Sequence, residues 1–140
     1  MSDIKSLQQY IHDWAVRKEW RGPKARKRPF VADLMLFVSE IAEALEEIRK
    51  NDDVKHYYET YTVIFNGVKF KNLSREQAQA LGANTDLMQG KPEGVGPELA
   101  DLAIRVLETC EEYGLNLDFE IERKMAYNED REIRHGGLLM

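Results

Sequence analysis

Apolar residues recur at helical spacing in four segments of this 140-residue chain, and this pattern constrains the fold more than any other feature. The spacing predicts a first helix over about residues 3–20 and a second over about residues 30–50. A third helix is expected from Pro97, which suits a first helical position, to Gly114, which suits the residue just after a helix. A fourth is expected over about residues 116–130.

The segment between the second and third predicted helices, about residues 52–95, has strand character instead. β-branched and aromatic residues fill Tyr61–Phe65 and Val68–Phe70, and the Asn66-Gly67 pair between them favours a tight hairpin turn. The predicted fold is therefore all-α, a four-helix bundle with a β-hairpin insertion between helices two and three. We expect residues 1–140 to form a single domain.

Composition narrows the function classes. The net charge of −5 does not favour nucleic acid as a partner. The single cysteine, Cys110, cannot form an intrachain disulfide, which fits a reducing cytoplasm. Met1–Tyr10 has no signal-peptide pattern and no apolar run reaches membrane-spanning length, so no membrane partner is expected.

Two acidic pairs on predicted helices carry most of the functional information. Glu40 and Glu43 lie on the second helix, and Glu98 and Asp101 on the third. Because residues three apart share one helix face, each pair presents two neighbouring carboxylates. Four carboxylates facing each other would repel unless protonated or bound to a hard cation, and oxygen-only ligands suit Mg²⁺. The pairs therefore predict a magnesium site.

Purely structural interpretations remain open for these residues. Glu40, Glu43 and Glu47 share one arc beside an apolar stripe, and such an arc is typical of a solvated face. Glu98 lies in the first turn of its helix, where an acidic side chain favours the helix dipole. The third predicted helix is apolar over most of its circumference, so we expect it to be mostly buried with a narrow acidic strip facing a pocket.

The fourth predicted helix places Lys124 and Asn128 on or beside its apolar side. Polar groups on a core-facing stripe need partners. Either Lys124 extends its charge to solvent and Asn128 is hydrogen-bonded within the protein, or both contact phosphate groups opposite the acidic cluster.

Taken in order, these motifs resemble those of the MazG-like, all-α nucleoside triphosphate pyrophosphohydrolases. The likeness comprises the two acidic pairs, the lead-in segment Gly90–Gly94, and a final segment with Lys124, Asn128 and Arg131 that ends in Arg134–Gly137. It extends over the first to the fourth predicted helix and covers about 95 residues. The spacing along the sequence between Glu43 and Glu98 is longer than in the compact pattern of the family, because the hairpin segment lies between them.

The resemblance implies hydrolysis of a nucleoside triphosphate to a monophosphate and pyrophosphate. It implies that Mg²⁺, or Mn²⁺ as a substitute, is held by four acidic residues: Glu40, Glu43, Glu98 and Asp101. It also implies phosphate contacts by Lys124, Asn128 and Arg131. A carboxylate that is not fully committed to metal would orient the attacking water as a base, and we assign this role to Glu43.

As the substrate, the resemblance favours a purine deoxynucleoside triphosphate, and dGTP before the others. An enzyme selective for dUTP or dCTP is an alternative. A second alternative is a non-catalytic helical interaction protein. A di-iron bundle is disfavoured, because it needs a Glu-x-x-His motif that neither acidic pair contains.

Two further expectations concern surfaces. The basic residues between positions 17 and 28 are either solvated or steer a triphosphate towards the site; they are Arg17, Lys18, Arg21, Lys24, Arg26, Lys27 and Arg28. A thin four-helix unit with wide apolar arcs cannot bury them all alone, so we expect a homodimer or homotetramer, as the resemblance also implies. The Tyr61–Phe70 hairpin should pack on the bundle or on a neighbouring subunit.

Overall fold

The structure, a computed structural model, describes residues 2–131. Its elements run in the order α1 (Ser2–Arg17), α2 (Phe30–Lys50), β1 (Tyr58–Phe65), β2 (Val68–Leu73), α3 (Arg75–Ala80), β3 (Lys91–Glu93), α4 (Val95–Glu112) and α5 (Leu117–Glu129), with a short 3-10 helix at Thr85–Leu87. The third and fourth predicted helices thus correspond to α4 and α5.

The predicted all-α bundle with a hairpin insertion is wrong. The described residues form five α-helices and a three-stranded antiparallel sheet in the order β2-β1-β3, so the architecture is mixed, with helices dominant. The strand β3 was missed because it is three residues long, contains Pro92 and is flanked by glycines. Such a segment has no strand signal of its own; it is a strand because it pairs with the free edge of β1.

The hairpin prediction is confirmed. β1 and β2 pair antiparallel, and the turn residues Asn66 and Gly67 both have positive φ, of 51° and 77°. Two successive positive φ values are what a two-residue type I′ turn requires, and its twist matches that of the strands. The Asn-Gly pair therefore determines this turn locally.

The ends of α4 and α5 also follow local signals. Gly114 has a φ of 71°, and the N–H of Leu115 donates to the carbonyl of Cys110 at 2.8 Å, which closes α4 in a Schellman-type cap. The side chain of Asn116 accepts from the N–H of Phe119 and caps the start of α5. Because these signals are local, both helix ends lie where the sequence predicts them.

The chain separates into two compact units. One combines the chain up to Asp33 with the chain from Ile104 onward, and the other is Leu34–Ala103. The second unit contains the sheet and a small apolar core around Tyr61, Val63 and Ala78, surrounded by Leu73, Leu81, Ala83 and Met88. The hairpin therefore packs against α3.

The apolar stripe of α2 remains exposed, although the sequence predicts that it faces the core of a bundle. Leu34, Val38, Ile41 and Leu45 are 43%, 53%, 53% and 48% exposed. Leu99 of α4 is likewise exposed, and Leu102, Val106 and Leu107 are only half-buried. The expectation of a mostly buried α4 is therefore wrong, and its buried positions include Glu98, Glu108 and Thr109. Within residues 2–131, none of the helices is long and apolar enough to cross a bilayer.

Candidate metal centre

Two helices and one short strand of the Leu34–Ala103 unit bring five carboxylates together. α2 carries Glu40, Glu43 and Glu47, which share one face because they are spaced three and four residues apart. Glu98 lies in the first turn of α4, and Glu93 ends β3. The strand and α4 are joined only by Gly94, so Glu93 and Glu98 are held in a fixed relation to one another.

Three of the four predicted ligands converge. One carboxylate oxygen from each of Glu40, Glu43 and Glu98 lies within 4.8 Å of the other two. Glu40 and Glu98 are buried, whereas Glu43 is exposed. In this cluster, two carboxylates are therefore shielded from water and the third, that of Glu43, is accessible to it.

The fourth predicted ligand, Asp101, belongs to neither of the carboxylate clusters found among the described residues. It is exposed and lines an open cavity of about 540 Å³ together with Lys91, Pro92 and Pro97. Its negative charge is one of those that raise the pKa of Glu98. Asp101 thus lies near the cluster, on the wall of an adjoining cavity.

Glu98 is the most perturbed acid of the cluster. Burial, a hydrogen bond with Glu43 and the charges of Glu43, Asp101 and Glu40 together raise its pKa from 4.5 to about 7. Its Oε2 atom is buried without a hydrogen-bond partner. A buried carboxylate oxygen with no donor is costly, and a bound cation would satisfy it.

A second cluster was missed by the sequence reasoning. One oxygen from each of Glu47, Glu93 and Glu98 lies within 4.8 Å of the other two, and all three residues are buried. Glu47 could have been found, because it shares the arc of Glu40 and Glu43 on α2. Glu93 had no comparable signal, because its position depends on the pairing of β3 with β1.

Hydrogen bonds orient the two carboxylates that the sequence missed. The hydroxyl of Tyr58 contacts both oxygens of Glu47, at 3.0 and 2.9 Å, and that of Thr60 donates to Glu93 at 3.3 Å. Lys50 pairs with Glu47 at 3.4 Å and Lys91 with Glu93 at 3.2 Å. The hydrogen bond to Glu93 is the largest cause of the raised pKa of Lys91, to which the charges of Glu98 and Glu43 also contribute.

Gly94 is required where β3 turns into α4. Its φ is 127°, a conformation that side chains rarely allow, and a Cβ atom there would clash with the carbonyl oxygen of His56. Gly94 is the one residue between β3, which ends at Glu93, and α4, whose first turn contains Glu98. Gly94 therefore belongs to the architecture of the site, although it carries no side chain.

The predicted phosphate ligands lie in the other unit. Lys124, Asn128 and Arg131 are all exposed, and the apolar side of α5, including Met125, is exposed with them. The Lys124 ammonium lies 5.5 Å from the centroid of the Tyr127 ring, and the Arg131 guanidinium lies 5.9 Å from it. The end of the final motif segment, Arg134–Gly137, lies outside the described residues.

The basic run is not uniformly solvated. Arg21 is buried and donates to Asp33 at 2.8 Å and to Glu108 at 2.7 Å. Burial lowers the pKa of Arg21, but its hydrogen bonds and ion pairs with Glu108 and Asp33 raise it above the ordinary value. Arg28 makes a further contact with Asp33 at 2.7 Å. Arg21 therefore has a structural role within its own unit.

The donor chemistry of the acidic clusters suits a hard divalent cation, the class to which Mg²⁺ belongs. Every candidate ligand is a carboxylate oxygen, which suits hard cations and not thiolate- or imidazole-preferring metals. The Oε2 atom of Glu98, the residue that both clusters share, is a second observation at this place, because it is buried without a hydrogen-bond donor.

Comparison of the chain with protein-family models, with curated proteins and with solved structures gave no match. The family resemblance therefore rests on the sequence motifs alone, and the function that it implies is a proposal.

Proposed function

We propose that this protein is a Mg²⁺-dependent nucleoside triphosphate pyrophosphohydrolase, related to the MazG-like enzymes that its motifs resemble. It hydrolyses a (d)NTP to the (d)NMP and pyrophosphate. The observation that carries the proposal is the convergence of Glu40, Glu43 and Glu98 around a buried carboxylate oxygen that has no hydrogen-bond donor. The free thiol of Cys110 supports a reducing compartment such as the cytoplasm as its location.

Four carboxylates hold the cation in this proposal: Glu40, Glu43, Glu98 and Asp101. When bound, Mg²⁺ supplies positive charge to the phosphate oxygens and a template that aligns them with the attacking water. Glu43 accepts a proton from that water, since it is the exposed member of the cluster. The water oxygen forms a bond to the α-phosphorus, the bond from that phosphorus to the bridging oxygen breaks, and pyrophosphate leaves.

Positive and amide side chains bind the phosphates. Lys124, Asn128 and Arg131 take this role from the resemblance. Lys91 is added to them because it lines the same cavity as Asp101. Its ammonium pairs with Glu93 at 3.2 Å, and this hydrogen bond, together with the charges of Glu93, Glu98 and Glu43, raises the pKa of Lys91.

The preferred substrate in this proposal is a purine deoxynucleotide, dGTP first. A panel of dNTPs and NTPs, each assayed with Mg²⁺ for pyrophosphate and monophosphate, tests both the activity and the base preference. Preferential hydrolysis of dUTP or dCTP would select the pyrimidine alternative. Release of inorganic phosphate in place of pyrophosphate would contradict the reaction.

Two substitutions test the site within this assay. Glu43→Ala and Asp101→Ala should each abolish Mg²⁺-dependent turnover while circular dichroism shows unchanged helical content. Glu46→Ala is the matched control, because Glu46 lies on the same helix, is exposed and pairs with Arg49 at 2.6 Å. Full activity of both site variants would remove the assignment.

One observation favours an alternative function. The exposed apolar stripe of α2 would suit a non-catalytic interaction protein, since large exposed apolar surfaces mark partner interfaces. We propose instead that a second copy of the chain covers this stripe in a homodimer or homotetramer. Absence of pyrophosphate release from every nucleotide of the panel would favour the interaction protein.

A further inference from the structure

All three members of the cluster of Glu47, Glu93 and Glu98 are buried. Their exposures are 7%, 8% and 7%, and one oxygen from each lies within 4.8 Å of the others. Of the three, only Glu98 belongs to the acidic pairs to which the proposed function assigns the cation. Three negative charges at this spacing are strongly unfavourable away from water unless positive charge accompanies them.

Among the described residues, Lys50 and Lys91 neutralise only part of this cluster. The side chains of Lys50 and Lys91 are 62% and 68% exposed, so each reaches one carboxylate from the solvent side, Lys50 to Glu47 and Lys91 to Glu93. The Oε2 atom of Glu98 is buried and receives no hydrogen bond. The cluster therefore contains a buried carboxylate oxygen to which none of the described residues donates a hydrogen bond.

Hydrogen bonds around the cluster hold its carboxylates in place. The Tyr58 hydroxyl contacts both oxygens of Glu47, and the Thr60 hydroxyl donates to Glu93. Outer hydrogen bonds of this kind orient the ligating carboxylates of metal sites. Tyr58 and Glu93 are also directly opposite each other in the β1–β3 pair, so the sheet itself fixes both parts of the cluster.

We propose that Glu47, Glu93 and Glu98 form a second site for a hard divalent cation, Mg²⁺ or Mn²⁺, and that Glu98 bridges it to the cation held with Glu40 and Glu43. The β1–β3 pairing supplies this second site. The inference rests on the proposed function for the choice of cation and for the first cation, which is held with Glu40 and Glu43. Lys50 and Lys91 act as counter-ions that release Glu47 and Glu93 when the cation binds.

Counting bound Mn²⁺ on the nucleotide-free, full-length protein tests the proposal. Isothermal titration calorimetry, supported by electron paramagnetic resonance of free Mn²⁺, should give two ions per chain for the parent. Glu93→Gln keeps the size of the side chain but removes its charge, and should leave one ion. Glu47→Gln should do the same, and Tyr58→Phe should weaken one of the two sites about tenfold, because the hydroxyl contact that orients Glu47 is lost.

The matched control is Glu46→Gln, which changes an exposed acid on α2 that pairs with Arg49. It should bind two ions. Circular dichroism identifies any variant that does not fold, and the parent count is decisive without the variants. A parent that binds one ion or none overturns the second site, as does a folded Glu93→Gln protein that still binds two.

Magnetic coupling tests the bridging role of Glu98. Ions that share a carboxylate in two-metal sites lie about 3.5–4 Å apart, close enough for a spin-coupled Mn²⁺ pair. The fully loaded parent should show this spectrum, and Glu98→Gln should lose it. An uncoupled spectrum at two ions per chain would overturn the bridge.

The two proposals fail separately. A parent with one ion that releases pyrophosphate would reject the second site and leave the proposed function intact. A parent with two coupled ions and no turnover on any nucleotide would reject the function and leave the second site intact.

Discussion

At the scale of single residues, the protonation of Glu98 makes the free energy of unfolding depend on pH. Its folded-state pKa of about 7 lies above the ordinary value of 4.5. Between these values the folded protein binds more protons than the unfolded chain, so the free energy of unfolding must fall as pH rises. The contribution is fully present below pH 4.5 and is lost through pH 7.

We therefore expect the cation-free protein to lose up to about 3 kcal/mol of stability between pH 4.5 and pH 8, from the pKa shift of Glu98. Glu98→Gln should remove most of this dependence. Urea unfolding in a chelator at both pH values measures it. Parallel pH profiles of parent and variant would show that Glu98 does not titrate in this range.

Lys124 tests whether the resemblance extends to phosphate binding. A charge-assisted hydrogen bond to a phosphate contributes about 1.5–3 kcal/mol, so Lys124→Ala should lower kcat/KM about tenfold or more. Arg123→Ala is the control, since its side chain is exposed on the same helix and pairs with Glu120 at 3.3 Å. Values of KM and kcat within twofold of the parent would mean that Lys124 is only a solvated surface residue.

At the scale of elements, the junction between β3 and α4 is the most sensitive point. Gly94→Ala should destabilise the protein by about 2 kcal/mol or more, because the backbone conformation is strained for alanine and the added methyl meets the His56 carbonyl. Because Gly94 connects the strand that carries Glu93 to the helix that carries Glu98, we expect the Gly94→Ala protein also to bind Mn²⁺ more weakly.

Gly96→Ala is a matched control two residues away. An added methyl there meets no atom within 4 Å, and the position lies in the first turn of α4. Replacing glycine by alanine in a helix is neutral to stabilising by up to about 1 kcal/mol. Thermal unfolding of both variants measures the difference, and equal melting temperatures would contradict the role of Gly94.

At the scale of the whole molecule, assembly is expected from the exposed stripe on α2. Sedimentation equilibrium at micromolar concentration should show a dimer or tetramer and not a 16.3 kDa monomer. Val38→Asp should shift the population towards monomer, because a charge in an apolar interface is left without a partner. Leu87→Asp is the control, since Leu87 is 84% exposed outside α2. A clean monomer for the parent would reject the assembly.

The sequence by itself determined the parts of this protein that depend on local signals. Apolar periodicity located α1, α2, α4 and α5, and Asn66-Gly67 determined the hairpin turn. The acidic pairing also pointed to Glu40, Glu43 and Glu98, because helical spacing alone puts neighbouring carboxylates on one face.

Features that depend on pairing between distant segments of the chain were decided only by the tertiary structure. β3 exists because β1 offers it a free edge, and this pairing carries Glu93 to Glu47 and Glu98. Burial is likewise a tertiary property. An apolar stripe such as that of α2 shows which face avoids water but not what covers it, so periodicity predicted a bundle core where the folded chain has an exposed surface.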